Sequence, residues 1–311
     1  MDNVVLPETD FTQVIHRDTY PAIEPSRPEL SQEGRTVVVA GGGTNIGKAI
    51  ATSFGQAKAA TVIIVGRRQA VLDEAAKALE ATASKGGSAT KYVGKAVDLT
   101  NDAAVDTFWD GLASDGVHVD VLVQCSGIFG QPKPLIELGL EGINKMMASN
   151  FKGPVHNALR FGNQADKERE KFFVYVSTNA INYSDHNWLA MRPDYILSKN
   201  TATYAFSLLA DGVKADNLQI LSYHPGMIYT DAWPPLGFTK DMLPFDEIEL
   251  PGNFAVWAAS KEARFLHGRY VYATWDVDEL ASAEEKSCLD TDHNYLRVGV
   301  VGLTDGGHRV K

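Results

Sequence analysis

The chain has 311 residues, enough for one large α/β domain or two small ones, with an ordinary globular composition of 44% hydrophobic and 22% charged residues. A formal net charge of −10 argues against a general binder of nucleic acid or anionic membranes, because such proteins present a basic surface. Two cysteines, Cys125 and Cys288, exclude a disulfide framework, and the scattered histidines form no metal motif. Because the histidines form no metal motif, we expect no bound metal. We find no secretory signal and no apolar run of membrane-spanning length, so we expect a cytoplasmic protein.

Residues 1–34 differ from the rest of the chain. They contain four prolines and seven acidic residues without a hydrophobic period, which predicts an extended N-terminal arm. The arm either wraps its own domain or contacts a partner subunit, and the sequence does not decide between the two.

Residues 35–311 alternate between short β-rich runs and longer helical patterns. Apolar strands separated by helices indicate a single α/β domain with a doubly wound parallel sheet of the Rossmann type, followed by a C-terminal extension. Strands are predicted at Thr36–Ala40, Thr61–Val65, Thr90–Val97, Val119–Gln124, Lys171–Ser177, Leu218–Tyr223 and Arg269–Thr274. Helices are predicted at Asn45–Ala57, Gln69–Ser84, Asp102–Ser114, about Glu141–Asn163 and Pro193–Lys214, with another ending at Glu262–His267.

A glycine-rich turn joins the first predicted strand to the first predicted helix. Glycines let the backbone approach a pyrophosphate closely, and the helix N-terminus offers free N–H groups to it. The position between strand and helix favours dinucleotide binding over a merely flexible loop. The predicted phosphate contacts are Gly41, Gly43, Thr44, Asn45, Ile46 and Gly47.

The second predicted strand ends at Arg67 and Arg68, where NAD-binding proteins carry an acidic residue for the ribose hydroxyls. Because guanidinium groups suit a phosphate, the pair favours NADP(H); the alternative is that both arginines only solvate a surface helix. Asp98 and Leu99, after the third strand, are candidates for the adenine edge. Asp98 alone is equally typical of a helix N-cap.

Tyr195 and Lys199 are four residues apart on a predicted helix and therefore share one face. The phenol of a free tyrosine has a pKa of about 10, and a neighbouring ammonium group favours its ionised form. The pair is therefore a candidate acid and base for a carbonyl and its alcohol. A surface pair with no chemical role is the alternative.

These residues and several spaced motifs resemble the classical, single-domain type of the short-chain dehydrogenase/reductase family, over about residues 35–273. The family's glycine pattern is matched at Ala40, Gly41 and Gly47, with Asn45 replacing the middle glycine. Further matches are Gln124-Cys125-Ser126-Gly127 for the family's N-N-A-G, Asn150 for its helix asparagine, and Pro225-Gly226-Met227-Ile228-Tyr229-Thr230 for its P-G-x-x-x-T.

The resemblance implies a role for each matching residue. Tyr195 would exchange the proton, Lys199 would lower its pKa and hold the nicotinamide ribose, and Asn150 would hold a water linking Lys199 to solvent. Where the family has a serine that orients the substrate oxygen, the register places Thr178, with Ser177 as the second choice. Coenzyme contacts are implied at Ser126, Gly127, Pro225, Gly226, Ile228 and Thr230, besides Tyr195 and Lys199.

Two segments concern the substrate. Residues 231–253 are predicted to form a lid whose apolar and aromatic content indicates a bulky, apolar substrate, unless these side chains pack on the protein itself. The segment around residues 182–191 either lines the pocket or forms a longer surface loop; it carries Tyr183, His186, Trp188 and Met191. Cys125 is expected to be a packing residue rather than a reactive thiol.

The predicted function is hydride transfer between NADP(H) and the carbonyl or secondary alcohol of a bulky, apolar small molecule. Two alternatives stay open: a family member repurposed as a non-redox enzyme such as a cyclase or isomerase, and a nucleotide-sensing binding protein. The resemblance implies a homodimer or homotetramer formed through the helices at about 141–163 and 193–214. No nucleic-acid or membrane partner is expected.

Overall fold

The computed structural model describes residues 11–182 and 192–300. Within them, seven parallel strands form one sheet in the order β3-β2-β1-β4-β5-β6-β7. Because the strand order reverses between β1 and β4, the sheet is doubly wound, which confirms the predicted Rossmann-type fold. The strands are β1 Thr36–Ala40, β2 Thr61–Gly66, β3 Lys91–Ala96, β4 Val121–Gln124, β5 Lys171–Val176, β6 Leu218–His224 and β7 Tyr270–Tyr272.

Helices cover both faces of the sheet. Alternate residues of β1 point to opposite faces, so that Val37 and Val39 join one buried cluster with Phe54 and Phe254, while Val38 joins the other. The helices are α1 Asn45–Gln56, α2 Gln69–Lys85, α3 Asp102–Ser114, α4 Leu135–Met147, α5 Gly153–Gly162, α6 Pro193–Asp211, α7 Glu249–Ala258, α8 Val277–Leu280 and α9 Ala283–Thr291. None of the helices in the described ranges has the length and apolar character needed to cross a membrane.

Two of the predicted helices were wrong in their extent. The helix expected over about 141–163 begins earlier, at Leu135, and a π-helical turn, Ala148–Lys152, separates α4 from α5. Pro154 lacks the N–H that would bond to the carbonyl four residues before it, which accounts for the widened turn. The helix expected to end at 262–267 is a 3-10 helix, Lys261–Leu266, and α7 precedes it.

The described part of the arm, residues 11–34, lies against its own domain. Ile23 and Leu30 are fully buried in the cluster that contains Phe54. The backbone N–H of His16 donates to the carbonyl of Thr274 over 2.8 Å, beside the end of β7. The arm is therefore bound by buried side chains and by backbone hydrogen bonds.

Candidate active site

The glycine turn after β1 is folded tightly against the neighbouring strand. Gly41 has a φ of +86°, and a Cβ there would lie 2.9 Å from the backbone of Ser126, which follows β4. A Cβ on Gly47 would lie 2.1 Å from the carbonyl oxygen of Gly41. Both positions require glycine because the backbone packs on itself at these distances.

Asn45, the first residue of α1, replaces a glycine of the family pattern. Its φ of 47° lies in the left-handed region, which asparagine tolerates better than most side chains. Its Nδ2 donates to Oδ2 of Asp231 over 3.3 Å. Thr44 precedes it as the N-cap, and its hydroxyl forms no capping hydrogen bond. The first N–H groups of α1 are therefore available to an anion.

The turn borders a cleft of about 380 Å³ at the carboxyl ends of β1, β2, β3 and β4. The cleft fits the pyrophosphate and adenosine parts of a dinucleotide, because the free N-terminus of α1 and the tightly packed backbone of the glycine turn border it. Of the residues predicted to bind a coenzyme, those that line the cleft are Gly41, Gly43, Thr44, Asn45, Ile46, Gly47, Arg67, Arg68, Asp98, Leu99, Ser126, Gly127 and Thr230.

Arg67 and Arg68 are exposed beside this cleft, directly after β2. Within the described chain, neither guanidinium forms a side-chain hydrogen bond, although Arg67 lies close enough to influence Asp98. The pKa of Asp98 is lowered mainly by hydrogen bonds from Thr100 and to a smaller extent by Arg67. Most of the donor capacity of both arginines is therefore available to an anionic ligand.

Tyr195 and Lys199 are buried one helical turn apart on α6; neither lines the cleft itself, but each adjoins a residue that does, Phe129 and Gly127 respectively. Lys199 Nζ donates to the carbonyl of Val176 over 2.8 Å and lies 4.8 Å from the ring centroid of Tyr175. Gly127, which lines the cleft, lies beside the same nitrogen: a Cβ on it would be in ordinary van der Waals contact with Nζ at 3.6 Å.

The pKa values of Tyr195 and Lys199 differ from the expectation that Lys199 lowers the pKa of Tyr195. Burial raises the pKa of Tyr195 to about 12, opposed by a hydrogen bond with Thr178. Burial lowers the pKa of Lys199 to about 8. Burial is the largest cause of both shifts, neither group is a cause of the other's shift, and Tyr195 is protonated at neutral pH.

The structure separates the two candidates at the end of β5. The Thr178 side chain lies close enough to Tyr195 to lower its pKa, whereas the Ser177 hydroxyl lies 2.6 Å from Thr203 Oγ1, in the core between β5 and α6. The two hydroxyls therefore face opposite sides of the chain, as successive residues of extended backbone do. Only Thr178 shares a site with Tyr195.

Asn150 is fully buried in the π-helical turn. Its Oδ1 accepts from the N–H of Ile128 over 2.8 Å, and its Nδ2 donates to the carbonyl of Ile128 and to Ser198 Oγ over 3.0 and 3.1 Å. A Cβ on Gly127 would lie 3.3 Å from this Oδ1 and 3.6 Å from Lys199 Nζ. Asn150 thus fixes the loop after β4 and borders the space beside Lys199.

Gln124 and Cys125 stand where the family has paired asparagines. Gln124 donates to Ser126 Oγ over 2.6 Å and accepts from Asn157 over 2.9 Å, which ties the end of β4 to α5. Burial raises the pKa of Cys125 to about 11, so it stays a thiol at neutral pH. The structure is consistent with Cys125 as a packing residue.

Pro225, Gly226 and Ile228 lie after β6 and do not line the cleft. Gly226 has a φ of +91°, and the buried Ile228 accepts from the indole N–H of Trp233 over 2.8 Å. Of the six-residue motif, only Thr230 faces the cleft.

The aromatic residues of the predicted lid pack on one another. The ring of Trp233 lies 5.5 Å from that of Phe238 and 4.9 Å from that of Phe245, and Tyr229 lies 5.1 Å from Phe245. Residues 249–253, expected in the lid, form the first turns of α7, which are buried from Leu250 onward. These aromatic side chains therefore do not indicate the nature of the substrate. The adjacent segment with Tyr183, His186, Trp188 and Met191 lies outside the described residues.

Sequence reasoning missed Phe129, which follows the family motif at the end of β4. Its ring stacks on Tyr195 with centroids 4.5 Å apart, 45% of the residue is exposed, and it lines the cleft. The guanidinium of Arg192 lies 5.2 Å from its centroid and donates to the carbonyl of Gly130. The sequence feature that could have indicated Phe129 as a site residue is its position, two residues after Gly127 at the end of the family motif. Other lining residues outside the prediction include Ile128, Ser149 and Ala232.

The family model described as short chain dehydrogenase matches residues 35–240. A short chain dehydrogenase/reductase of Claviceps purpurea is 31% identical over 301 residues, which cover 94% of this chain and 97% of that protein. A relative from Aspergillus aculeatus with the same description is 29% identical, with 93% and 96% covered.

Solved structures agree with this assignment. A short-chain type dehydrogenase/reductase from Mycobacterium ulcerans has a TM-score of 0.68 and 25% identity, covering 84% of this chain and 99% of that chain. L-sorbose reductase from Gluconobacter frateurii, solved with NADPH and L-sorbose, shares the fold with a TM-score of 0.66 and 23% identity, covering 78% and 96%. With the glycine turn, the cleft and the Tyr195–Lys199 pair in place, the chain belongs to the short-chain dehydrogenase/reductase family of oxidoreductases.

Proposed function

We propose that this oxidoreductase uses NADP(H) to interconvert a carbonyl group and a secondary alcohol. The observation that carries the proposal is that Tyr195, with Thr178 close to it, and Lys199 are buried behind Phe129 and Gly127, which line a cleft that fits a dinucleotide. A surface pair, the alternative for Tyr195 and Lys199, is inconsistent with their burial.

The preference for NADP(H) rests on Arg67 and Arg68. Two exposed guanidiniums without side-chain hydrogen-bond partners in the described chain border the cleft where an NAD-binding protein would place a carboxylate. They suit the additional phosphate of NADP(H) through charge-assisted hydrogen bonds. The L-sorbose reductase that shares the fold was solved with NADPH.

In the proposed mechanism, bound NADPH supplies the hydride. Thr178 and Tyr195 hold the carbonyl oxygen of the substrate between their hydroxyls, and Tyr195 donates its proton to that oxygen as negative charge develops there. Gly41, Gly47 and the N-terminus of α1 would hold the pyrophosphate, and Lys199 would contact the nicotinamide ribose. Asn150 holds a water on the path that returns a proton to Tyr195.

The protonation states favour Tyr195 as an acid. With a pKa of about 12 the phenol carries its proton at neutral pH, as carbonyl reduction requires. In the oxidative direction Tyr195 has to lose this proton first. A charged Lys199 beside the ribose would then favour the phenolate.

We also propose a ring-containing, largely apolar substrate. The support is Phe129, whose exposed ring stacks on Tyr195 at the cleft, so that a substrate reaching the Tyr195 hydroxyl passes an apolar, flat surface. Rings stack on such a surface in offset or edge-to-face geometry.

The test is a titration of the purified protein with NADPH and NADH, followed by NADPH oxidation against aromatic and cyclic ketones. We expect tighter binding of NADPH and turnover with at least one ring ketone. Tight NADPH binding without oxidation by any ketone, and without the reverse reaction on alcohols, would favour the non-redox enzyme or the nucleotide sensor instead.

We further propose that the chain assembles as a homodimer or homotetramer through α5 and α6. Leu197, Tyr204 and Leu208 are exposed on α6 at spacings of seven and four residues, which place them on one face, and Leu159 is exposed on α5. Exposed apolar residues clustered in this way are typical of interfaces. Light scattering of the protein and of Leu208→Glu tests this, and a monomeric parent protein would contradict it.

A further inference from the structure

The chain that follows β6 is held in its shape by Asp246. The N–H of Met227 donates to Asp246 Oδ2 over 2.7 Å, and the N–H of Asp246 donates back to the carbonyl of Met227 over 2.9 Å. A Cβ on Gly226 would lie 2.7 Å from the same Oδ2, so the carboxylate packs directly on this glycine. An isolated parallel β-bridge pairs Ile228 with Asp246.

Asp246 is itself held by the N-terminal arm. Its side chain is only 6% exposed, and Arg17 NH1 lies 3.2 Å from its Oδ1. The same guanidinium nitrogen donates to the carbonyl of Pro244 over 2.7 Å, and the N–H of Glu247 donates to the carbonyl of Arg17 over 2.7 Å. Arg17 of the arm therefore contacts Asp246 itself and also Pro244 and Glu247, which flank it in the chain.

This contact has an electrostatic consequence. Burial raises the pKa of Asp246, while the Met227 N–H and the Arg17 charge lower it. Without Arg17, a nearly buried carboxylate would lose its counter-charge and would be drawn towards water. The hydrogen bond to Met227 would then weaken, and the segment around Gly226 would lose a fixed partner.

Arg17 and Asp246 both lie outside residues 35–240, the range that matches the family model. We propose that they are positioning residues: the arm, through Asp246, holds residues 225–230 in the shape that anchors the nicotinamide end of the coenzyme. This inference rests on the proposed function and on the family resemblance, which implies coenzyme contacts at Pro225, Gly226, Ile228 and Thr230; of these four residues, Thr230 lines the cleft. It gives the arm a role in coenzyme binding in addition to its packing on the domain.

Arg27 offers a matched control within the same arm. Its guanidinium pairs with Glu262 over 2.8 Å, on the side of 3-10 helix Lys261–Leu266, and has no contact with the 225–230 segment. Arg17→Ala removes the contact with Asp246, and Arg27→Ala removes the contact with Glu262 together with one to Glu29 inside the arm. Only the first removes the partner of Asp246, and Arg17→Lys restores the charge without the planar donor geometry.

Two measurements test the proposal on the whole 311-residue chain. The first is the NADPH dissociation constant by fluorescence titration; the second, without coenzyme, is hydrogen–deuterium exchange of peptides covering residues 225–232. We expect Arg17→Ala to weaken NADPH binding about tenfold and to accelerate exchange, with partial recovery in Arg17→Lys. We expect Arg27→Ala to change neither quantity, whatever its effect on the melting temperature.

The outcomes separate this inference from the proposed function. Unchanged exchange and NADPH affinity in Arg17→Ala, with normal binding by the parent protein, would overturn the inference alone. Equal losses in Arg17→Ala and Arg27→Ala would also overturn it, since they would show a general loosening of the arm. If the parent protein bound neither NADPH nor NADH, the proposed function would be wrong. The inference that Arg17 and Asp246 support coenzyme binding would then be wrong as well.

Discussion

The coenzyme end and the substrate end of the cleft differ in how their polar groups are engaged. At the coenzyme end, within the described residues, Arg67 and Arg68 form no side-chain hydrogen bonds and the Thr44 hydroxyl leaves α1 uncapped. At the substrate end, where the segment after β6 would hold the nicotinamide beside the substrate, Trp233 donates to a backbone carbonyl, and Asp246 is held by Met227 and by Arg17. The first region presents donors to a ligand, whereas the second uses its donors to maintain its own shape.

This difference shows what each end contributes. Free donors beside a glycine turn recognise a phosphate-bearing ligand directly, so single side chains there should control affinity. Where side chains hold other parts of the protein, a substitution should act through the shape of the backbone. Tyr195 and Thr178 lie between the two ends, and the chemistry depends on both.

The largest effect is expected at this junction. Tyr195→Phe keeps the ring that stacks on Phe129 and removes only the hydroxyl. We expect kcat to fall about 10³-fold with NADPH affinity nearly unchanged, because the proton donor is lost and the cleft is not altered. Tyr295→Phe, which removes a hydroxyl bonded to Glu285, is the control and should keep its turnover. Equal kcat in Tyr195→Phe and the parent protein would remove the tyrosine from the mechanism.

A comparison of the two neighbouring hydroxyls sharpens the assignment of the site. Thr178→Ala should lower kcat about 100-fold, because a donor to the developing oxyanion is lost, and Thr178→Ser should restore most of it. Ser177→Ala should keep kcat and cost about 1 kcal/mol of stability through its lost bond to Thr203. Steady-state kinetics and urea denaturation separate the two variants. The reverse pattern would assign the substrate contact to Ser177.

His224, at the substrate end, should make the stability of the folded protein sensitive to acid. Burial lowers the pKa of His224, at the end of β6, from 6.5 to about 3. The unfolded chain takes up this proton near pH 6.5 and the folded chain only near pH 3, so stability falls as the pH falls through that window. The expected loss from this group is about 2 kcal/mol at pH 5. His224→Gln should therefore lose less stability between pH 7 and pH 5 in urea denaturation. Parallel slopes would show that His224 is not a source of acid sensitivity.

The smallest effect concerns the exposed arginines at the coenzyme end. Arg67→Ala or Arg68→Ala should reduce the preference for NADPH over NADH about tenfold, since each removes a charge-assisted but solvent-screened contact. Lys85→Ala, at the other end of α2, is the matched control. Ratios of the two dissociation constants at low and high salt measure the effect. An unchanged ratio in both variants would indicate that Arg67 and Arg68 only solvate a surface helix.

The fold and the position of the coenzyme cleft were predictable because local sequence determines them. Apolar strands, the left-handed Gly41 and the spacing of Tyr195 and Lys199 are all properties of a few neighbouring residues. The replacement of a glycine by Asn45 is compatible with the same turn, because asparagine also adopts its positive φ.

Contacts between distant segments could not be predicted in the same way. The proximity of Thr178 to Tyr195, the stacking of Phe129 on Tyr195 and the link from Arg17 to Asp246 join residues from separate segments of the chain. The raised pKa of Tyr195 has the same origin, since the depth of burial depends on the whole fold. The aromatic lid was misleading because composition does not show whether rings face a ligand or one another.

The most direct test of the central claim follows the hydride itself. A cyclic ketone is incubated with the protein and with NADPH that carries deuterium at the transferable position of the nicotinamide, and the product is analysed by mass spectrometry. The account predicts one deuterium at the former carbonyl carbon for each coenzyme oxidised, and no such product with Tyr195→Phe on the same timescale. Conversion of the substrate without deuterium in the product and without coenzyme oxidation would contradict it and would indicate a non-redox enzyme.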